Sequence, residues 1–246
     1  MIRLHCRDPL VKVARLAVDS SQAHYLSRVM RLTAGDQIAV FNGRDGEWRA
    51  RLADSGGRNL TLQVQELMRP QMATPDLDLV MALIKRSRLE TVAEKAAELG
   101  VRRLRLTVTA RCALRDIQTE RLCSIAVEAS EQTGRLDTPE IAPPEPLSGM
   151  LRAWPAARRL VFCDEAGDAP NMAETLRSLA DSRLPDEGWA ILIGPEGGFS
   201  PEEREAVRAL PGVMPVSLGP RILRADTAAI AALAIWQSHL GDWQGP

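Results

Sequence analysis

Two glycine-bearing loops in the last third of the chain have the residue types of a small-molecule binding site. The first, GPEGGFSPEE at 194–203, directly follows the apolar segment Trp189–Ile193. Gly194, Gly197 and Gly198 would let a ligand approach the backbone at the carboxyl end of a strand, where open α/β sheets bind ligands. The loop matches neither GxGxxG nor GxxxxGKS, which disfavours dinucleotide and P-loop chemistry. For this loop alone, a purely structural turn is the alternative.

The same loop contains a helix-start signal. Ser200 is predicted to cap a helix, Pro201 occupies its first position, and Glu203 is spaced to close a capping box. The loop is therefore predicted to pass directly from a strand into a helix.

The second loop follows a predicted strand, Val213–Leu218, and reads GPRILRADTAA. Arg221 and Arg224 flank this turn, where a guanidinium could meet an anion or a base. Asp226 or Thr227 is predicted to cap the last helix, and capping alone would explain either residue. Because both loops follow strands and enter helices, they are predicted to share one pocket.

The elements that position these loops alternate between strands and helices after Pro75. Leu77–Ile84 is continuously apolar, as in a strand covered on both faces. A helix from Ser87 ends at Gly100. The remaining predicted elements are strands at 101–108, 160–163, 189–193 and 213–218, helices at 119–132 and 228–240, and a proline-rich loop at 139–146. This order predicts an α/β domain over residues 76–246 with a mostly parallel sheet.

Residues 1–70 have a different pattern. A predicted helix at 20–33 begins with a Ser cap and places five apolar residues on one stripe: Tyr25, Leu26, Val29, Met30 and Leu32. Short alternating strands follow near 38–41, 48–52 and 60–64, with turns at 42–46 and 55–57. Closely spaced antiparallel strands predict a small barrel, and 69–75 is the predicted linker.

Charge is unevenly distributed although the net charge is only -1. Residues 1–70 carry +4 and residues 83–115 carry +6, whereas residues 116–246 carry -9. A basic front half is what contact with a phosphate backbone requires, and a solvated charged surface is the alternative.

Composition argues against several protein classes. The longest apolar run, 228–236, has nine residues where a membrane helix needs roughly 20. The charged N-terminus does not resemble a signal peptide, so a cytoplasmic protein is expected. The four cysteines and three histidines are scattered, which predicts reduced thiols and no metal site.

Three pairs of motifs and one longer segment resemble one known family. GPEGGFS followed by LGPRILR is similar to the paired cofactor loops of the 16S rRNA uracil-N3 methyltransferases, a branch of the SPOUT superfamily. HYLSRVMRL with GDQIAVFNG resembles that family's PUA-like RNA-binding barrel. KRSRLETVAEKAAELGV resembles its first catalytic-domain helix, and EQTGR with PEI resembles its middle. The likeness covers nearly the whole chain. It implies a trefoil-knotted, mostly parallel sheet with helices on both faces, preceded by a small PUA-like β-barrel.

The resemblance also implies an activity and a cofactor. The expected reaction is S-adenosylmethionine-dependent methylation of N3 of a uridine in 16S ribosomal RNA, by a homodimer acting on that RNA or on the small ribosomal subunit. No membrane or metal partner is implied. The residues carried over to the cofactor site are Leu192, Ile193, Gly194, Gly198, Leu218, Gly219, Ile222 and Leu223. For the leucines and isoleucines, a place in the sheet core is the alternative, and both can hold.

Methylation at N3 also suggests catalytic groups. Neutral uracil carries a proton at N3, so the enzyme must remove it and stabilise the charge that spreads over both carbonyl oxygens. Arg224 is our candidate donor to those oxygens, and Glu196 or Asp226 is the candidate base or orienting group. Glu196 could instead accept backbone N–H bonds inside its own loop.

RNA binding is expected from the barrel and from the basic segment at 83–115. The candidate phosphate contacts are Arg28, Arg31, Lys85, Arg86, Arg88 and Arg111. Each could also be an ordinary charged surface residue.

The chain departs from the family in two places. The family reads LRTET where residues 223–227 read LRADT, which removes a hydroxyl at Ala225 and shortens a carboxylate at Asp226. A cysteine common in the family is replaced by Thr133. These changes leave the role of the 225–226 pair open. Three other functions also stay open: a SPOUT methyltransferase acting on tRNA or on a ribose hydroxyl, a non-catalytic RNA-binding assembly factor, and a nucleotide-binding α/β enzyme.

Overall fold

The computed structural model describes residues 1–54, 60–165, 168–179 and 187–244. The chain divides into two compact units. The first comprises Met1–Ala73 and Ser130–Thr138, and the second comprises Thr74–Ala129 and Pro139–Pro246. Among the described residues, no helix is long and apolar enough to cross a membrane.

A five-stranded sheet forms most of the first unit. Its strands, in the order β1-β3-β4-β5-β2, are β1 (Arg3–His5), β2 (Arg15–Ala17), β3 (Gln37–Phe41), β4 (Glu47–Asp54) and β5 (Thr61–Arg69). Strands β3, β4 and β5 confirm the predicted antiparallel run, and their alternate apolar residues are buried. Strands β1 and β2 have three residues each, too few to show a period. The predicted turn at 55–57 lies outside the described residues.

The predicted helix at 20–33 is shorter than expected. Helix α1 (Ser20–His24) begins after Asp19, which forms a capping box with Gln22, so the predicted Ser cap was wrong. A π-helical turn, Tyr25–Val29, follows. Its i→i+5 bonding widens the turn and changes which side chains face inward. Val29 is therefore 59% exposed and Met30 is 37% exposed, so the predicted apolar stripe was wrong at both.

Glu47 is a buried carboxylate between two arginines of the same unit. Its Oε1 accepts a hydrogen bond from Arg3 Nε at 2.6 Å, and its Oε2 accepts one from Arg69 Nε at 2.8 Å. Burial raises the pKa of Glu47, but the hydrogen bonds from Arg69 and Arg3 outweigh it and hold the pKa below its usual value. The ionised form is therefore favoured by folding.

Glu47→Gln is expected to lower the free energy of unfolding by about 1–3 kcal/mol at pH 7, because it leaves two arginines facing a neutral amide. Since the folded-state pKa is depressed, this stabilisation is present above about pH 4.5 and is lost as the pH falls further. Urea unfolding at pH 7 and pH 3 measures both effects. Glu66→Gln, whose partner Arg49 is at the surface, should cost less than about 0.5 kcal/mol. An equal Glu47→Gln penalty at both pH values would contradict this account.

The second unit is built on a six-stranded sheet in the order β11-β9-β10-β6-β7-β8, in which every pairing is parallel. Its strands are β6 (Leu77–Ala82), β7 (Arg103–Val108), β8 (Glu140–Pro146), β9 (Arg159–Cys163), β10 (Trp189–Ile193) and β11 (Val213–Val216). Its helices are α2 (Arg86–Glu98), α3 (Glu120–Thr133), which ends in the first unit, α4 (Leu147–Arg152), α5 (Met172–Leu179), α6 (Pro201–Arg208) and α7 (Ala225–Leu240).

Both faces of this sheet are covered, as the continuous apolar strand at 77–84 predicted. Leu79 and Ile191 pack in one cluster with residues of α2, α5 and α7. Val80 and Leu192, one position along each strand, pack in another cluster with residues of α4 and α6. Alternate residues of a strand point to opposite faces, so both clusters are apolar. The α/β prediction is confirmed, and the trefoil knot stays a prediction.

The proline-rich segment at 139–146 was predicted as a loop, and this was wrong. It forms strand β8, which pairs with β7 at one edge of the sheet. A proline lacks an N–H and is tolerated in an edge strand, where one side of the backbone needs no partner. Strand β11, at the other edge, contains Pro215.

Candidate active site

A cavity of about 660 Å³ lies at the carboxyl ends of β9, β10 and β11, which are neighbours in the sheet. It is lined by the segment after β9, by the first glycine loop, by the second glycine loop and by the start of α7. This volume is within the range of small-molecule pockets, roughly 300–1,000 Å³. The prediction that the two loops share one pocket is therefore confirmed.

The first glycine loop is fixed at its helical end by the predicted capping box. Ser200 Oγ accepts a hydrogen bond from Glu203 N at 3.2 Å, and Glu203 Oε2 accepts one from Ser200 N at 3.0 Å. Glu203 Oε1 also accepts one from Ala110 N at 2.7 Å. This carboxylate therefore joins the loop to the segment that follows β7.

The glycines of this loop are needed for close packing. A Cβ at Gly194 would lie 2.6 Å from the ring of Phe199, and one at Gly198 would collide with Glu165 Oε1. Gly198 also has φ +66°, which side chains other than glycine rarely adopt. A side chain at either position would therefore require a neighbouring side chain of the site to move, and at Gly198 the backbone conformation adds its own cost.

Seven of the eight predicted cofactor residues line the cavity: Ile193, Gly194, Gly198, Leu218, Gly219, Ile222 and Leu223. Leu192 does not, because its side chain points to the opposite face from Ile193 and is buried among the core residues there. The predicted apolar contact of the Leu192 side chain with adenine is thus not supported. For Leu192, the alternative of sheet core holds.

The predicted catalytic residues separate into two groups. Arg224 and Glu196 both line the cavity, and in the described part of the chain neither side chain has an ion pair or hydrogen bond. Asp226 does not line it: its Oδ2 accepts a hydrogen bond from Arg88 Nη1 at 2.7 Å. Asp226 is in the first turn of α7, and Arg224 is the N-cap residue, without a side-chain cap. Predicting Asp226 or Thr227 as the cap was therefore wrong.

The pairing of Asp226 bears on the departure from the family pattern. Ala225 is buried at the start of α7, and Asp226 joins that start to α2 through Arg88. The shortened carboxylate thus has a structural partner and lies away from the cavity. The same ion pair engages the guanidinium of Arg88, a predicted phosphate contact.

The other predicted phosphate contacts are exposed. Lys85 and Arg86 lie at the start of α2, and Arg28 and Arg31 lie in the first unit around its π-helical turn. Arg111 is exposed too, but its Nη1 donates to Gly197 O at 3.1 Å, which holds it against the first glycine loop.

Two acidic residues at the cavity were missed by the sequence reasoning. Asp164 and Glu165 follow β9 directly, and both line the cavity. Their position after an apolar strand was the available signal. Cys163 also lines the cavity, but burial raises the pKa of its thiol to about 12. It is therefore protonated at neutral pH and is not a nucleophilic thiolate.

The residues present fit a molecule that is part apolar and part charged, such as S-adenosylmethionine. Ile193, Leu218 and Leu223 provide apolar surface, and Gly219, with φ +115°, leaves open space beside its backbone. Glu165, Glu196 and Arg224, which have no ion pair with any described residue, lie beside them. Throughout the residues that the structure describes, no group of three or more His, Cys, Asp or Glu side chains is arranged to hold a metal ion.

Comparison with known proteins agrees with this picture. The sequence matches the RNA methyltransferase domain family over residues 71–237 and the RNA methyltransferase PUA domain family over residues 18–65. Ribosomal RNA small subunit methyltransferase E of Rickettsia conorii is 30% identical over 233 residues, covering 94% of this chain and 93% of the relative. The protein of that name from Synechocystis sp. is 35% identical over 225 residues, covering 90% and 72%.

A solved structure is similar over the full length. Ribosomal RNA small subunit methyltransferase E from Neisseria gonorrhoeae, bound to S-adenosyl methionine, matches with a TM-score of 0.85 and 25% sequence identity. The match covers 99% of both chains.

Proposed function

We propose, because this chain belongs to the RNA methyltransferase family of ribosomal RNA small subunit methyltransferase E, that it methylates N3 of one uridine in 16S ribosomal RNA. Methyltransferase activity on RNA follows from the family. The observation that carries the proposal is the pair of glycine loops, which occur in the family's order and line one cavity. A ribosomal RNA substrate would be met in the cytoplasm, so we propose that compartment as well.

Different cavity residues would hold different parts of the cofactor. Ile193, Leu218 and Leu223 would contact the adenine, while backbone groups of Gly194 and Gly219 would bind the polar edges of the adenosyl group. When bound, S-adenosylmethionine supplies an electrophilic methyl group. The protein's own task is to hold the uracil in line with that methyl and to exclude competing water.

The charged side chains of the cavity suit the proton chemistry at N3. Arg224 would donate hydrogen bonds to a uracil carbonyl oxygen and stabilise the negative charge that develops when N3 loses its proton. Glu196, on the facing loop, is the proposed base or orienting group. Asp226 is left out of this mechanism because it is paired with Arg88.

We also propose that the enzyme works as a homodimer. Ile222 lines the cavity and yet is 89% exposed, an unusual environment for a large apolar residue beside a binding site. A second copy would cover it. Light scattering coupled to gel filtration should give twice the 27.0 kDa mass of the chain, and a mass of one chain would contradict the proposal.

The decisive experiment maps the methylated nucleotide. 16S RNA and small subunits from a deletion strain are incubated with purified protein and methyl-labelled S-adenosylmethionine, and nucleosides are separated after digestion. We expect label in N3-methyluridine at one position, and none when tRNA replaces the ribosomal substrate. Label in a ribose or in tRNA would support a different RNA methyltransferase. Cofactor binding without any label transfer would support an assembly factor.

RNA affinity should fall steeply with salt, because basic side chains displace counterions from phosphates. We propose that residues 1–70 form the RNA-binding domain, and Arg28 and Arg31 are its exposed candidates. The double variant Arg28→Ala/Arg31→Ala should weaken binding and reduce the log–log salt slope by roughly 1 per lost contact. Filter binding at several salt concentrations measures this slope. Arg177→Ala, from the acidic half of the sequence, is the matched control, and an equal effect there would contradict the assignment.

A further inference from the structure

One charged residue of the cavity has no part in the mechanism above. Glu165 lines the cavity at the carboxyl end of β9. Within the described ranges, its carboxylate has neither an ion pair nor a hydrogen bond. Glu165 is exposed, and its ionised carboxylate can accept several hydrogen bonds, which water supplies until the donors of a ligand replace it. Its carboxylate is therefore available to a ligand that enters the cavity.

Asp164, the residue before Glu165, and Asp168, three residues after it, are both tied to helix α6. Asp164, almost fully buried, accepts hydrogen bonds from Arg204 Nε at 2.8 Å and from Arg208 Nη2 at 2.7 Å. Asp168 accepts from the same two arginines at 2.6 and 2.8 Å. Because α6 follows the first glycine loop directly, this clamp holds Glu165 in a set position relative to that loop.

The side chain of Glu165 is placed by the glycine loop itself. Its Oε1 lies so close to Gly198 that a Cβ there would collide with it. The missing side chain at Gly198 thus makes room for the carboxylate at the wall of the cavity.

The position of β9 indicates which part of the ligand Glu165 meets. Strand β9 lies between β11 and β10 in the sheet. The ends of those two neighbours carry Leu218 and Ile193, the apolar residues proposed to contact the adenine. A residue at the end of the strand between them is next to the adenosine half of the ligand. The polar group attached directly to the adenine is the ribose, which offers two vicinal hydroxyl donors.

We propose that Glu165 binds the ribose of the cofactor, its carboxylate accepting hydrogen bonds from the 2′- and 3′-hydroxyls. The assignment rests on the proposed use of S-adenosylmethionine. The chemistry is general: in nucleotide-binding α/β folds, an acidic residue accepts the ribose hydroxyl beside a glycine loop. Glu165 would thereby select ribonucleoside ligands over their deoxy counterparts.

Calorimetry with three ligands tests this: S-adenosylhomocysteine, 5′-methylthioadenosine, which lacks the amino-acid part, and 2′-deoxy-5′-methylthioadenosine. Glu165→Ala should lower the affinity for the first two ligands by the same factor, roughly 10- to 100-fold, as expected for loss of a hydrogen bond to a charged group. Glu165→Gln should lower the affinity less, because its amide oxygen still accepts a hydrogen bond. Wild-type protein should prefer 5′-methylthioadenosine over its deoxy analogue, and Glu165→Ala should lack that preference.

Other outcomes separate the possible failures. Glu205→Ala, an exposed glutamate on α6, is the control and should bind like wild type. If Glu165→Ala weakens S-adenosylhomocysteine but not 5′-methylthioadenosine, Glu165 meets the amino-acid part and the ribose assignment is overturned. Unchanged binding of both ligands overturns any contact. If wild-type protein binds none of the three, the cofactor proposal fails first. Circular dichroism of each variant verifies folding.

Discussion

Arg224→Ala is expected to lower the single-turnover methylation rate at saturating RNA by about 10²–10³-fold, the usual effect of removing one donor to a developing oxyanion. Arg224 fits that role because its side chain lines the cavity and, in the described residues, no carboxylate neutralises it. Rapid-quench assays with methyl-labelled cofactor measure the rate. The affinity for S-adenosylhomocysteine should change little, because the lost interaction is made to the base.

Two further variants distinguish Arg224 from a general positive charge. Arg224→Lys keeps the charge but loses the planar fork, so it should recover only part of the rate. Arg221→Ala removes the other arginine of the second glycine loop, which also lines the cavity. This variant should lower the single-turnover rate less than Arg224→Ala does if Arg224 is the donor. A wild-type single-turnover rate for Arg224→Ala would exclude it from the chemistry.

Gly198→Ala is the second substitution with a large expected effect. The backbone there has φ +66°, which costs an alanine about 1–2 kcal/mol, and the added Cβ would collide with Glu165 Oε1. We expect a loss of stability close to this backbone cost, because the exposed Glu165 side chain can rotate away from the Cβ, and an affinity for S-adenosylhomocysteine lowered by about 10-fold or more because Glu165 leaves its position at the cavity wall. Thermal unfolding and calorimetry measure the two effects separately.

A matched glycine and a double variant separate the two causes. Gly212 has φ +71°, and a Cβ added there would meet no described atom within 4 Å, so Gly212→Ala should show only the backbone cost. Gly198→Ala should be about as destabilised as Gly212→Ala, and Gly198→Ala/Glu165→Ala should bind S-adenosylhomocysteine no more weakly than Glu165→Ala alone. If the double variant binds this ligand more weakly than Glu165→Ala, displacement of Glu165 is not the cause.

The elements with strong local signals could be predicted from the sequence. Continuous apolar segments indicated the buried strands β6 and β10, and the spacing of Ser200 and Glu203 indicated the start of α6. Cap residues and apolar runs act through neighbours close in sequence, so a short stretch of sequence is enough to identify the helix start or the buried strand. The cavity was predictable for the same reason, because the lining residues of each loop are close together in the sequence.

What the sequence did not reveal depends on partners far along the chain. Asp226 reads as a helix cap until Arg88, 138 residues away, is found beside it. Asp164 has no visible role until α6 brings two arginines to it. The π-helical turn is a different case, because residues 20–33 carry a helical apolar pattern that a single widened turn interrupts. Tertiary contacts decided the roles of Asp226 and Asp164.

The prolines of the outer strands limit how the large sheet can grow. Strand β8 has Pro143, Pro144 and Pro146, and β11 has Pro215, so both borders of the sheet have gaps in their rows of N–H donors. Another chain that tried to add a strand at either border would find too few donors for a continuous ladder. The prolines that led to the prediction of a loop at β8 thus oppose fibril-like association. They do not prevent the enzyme from self-associating through other surfaces.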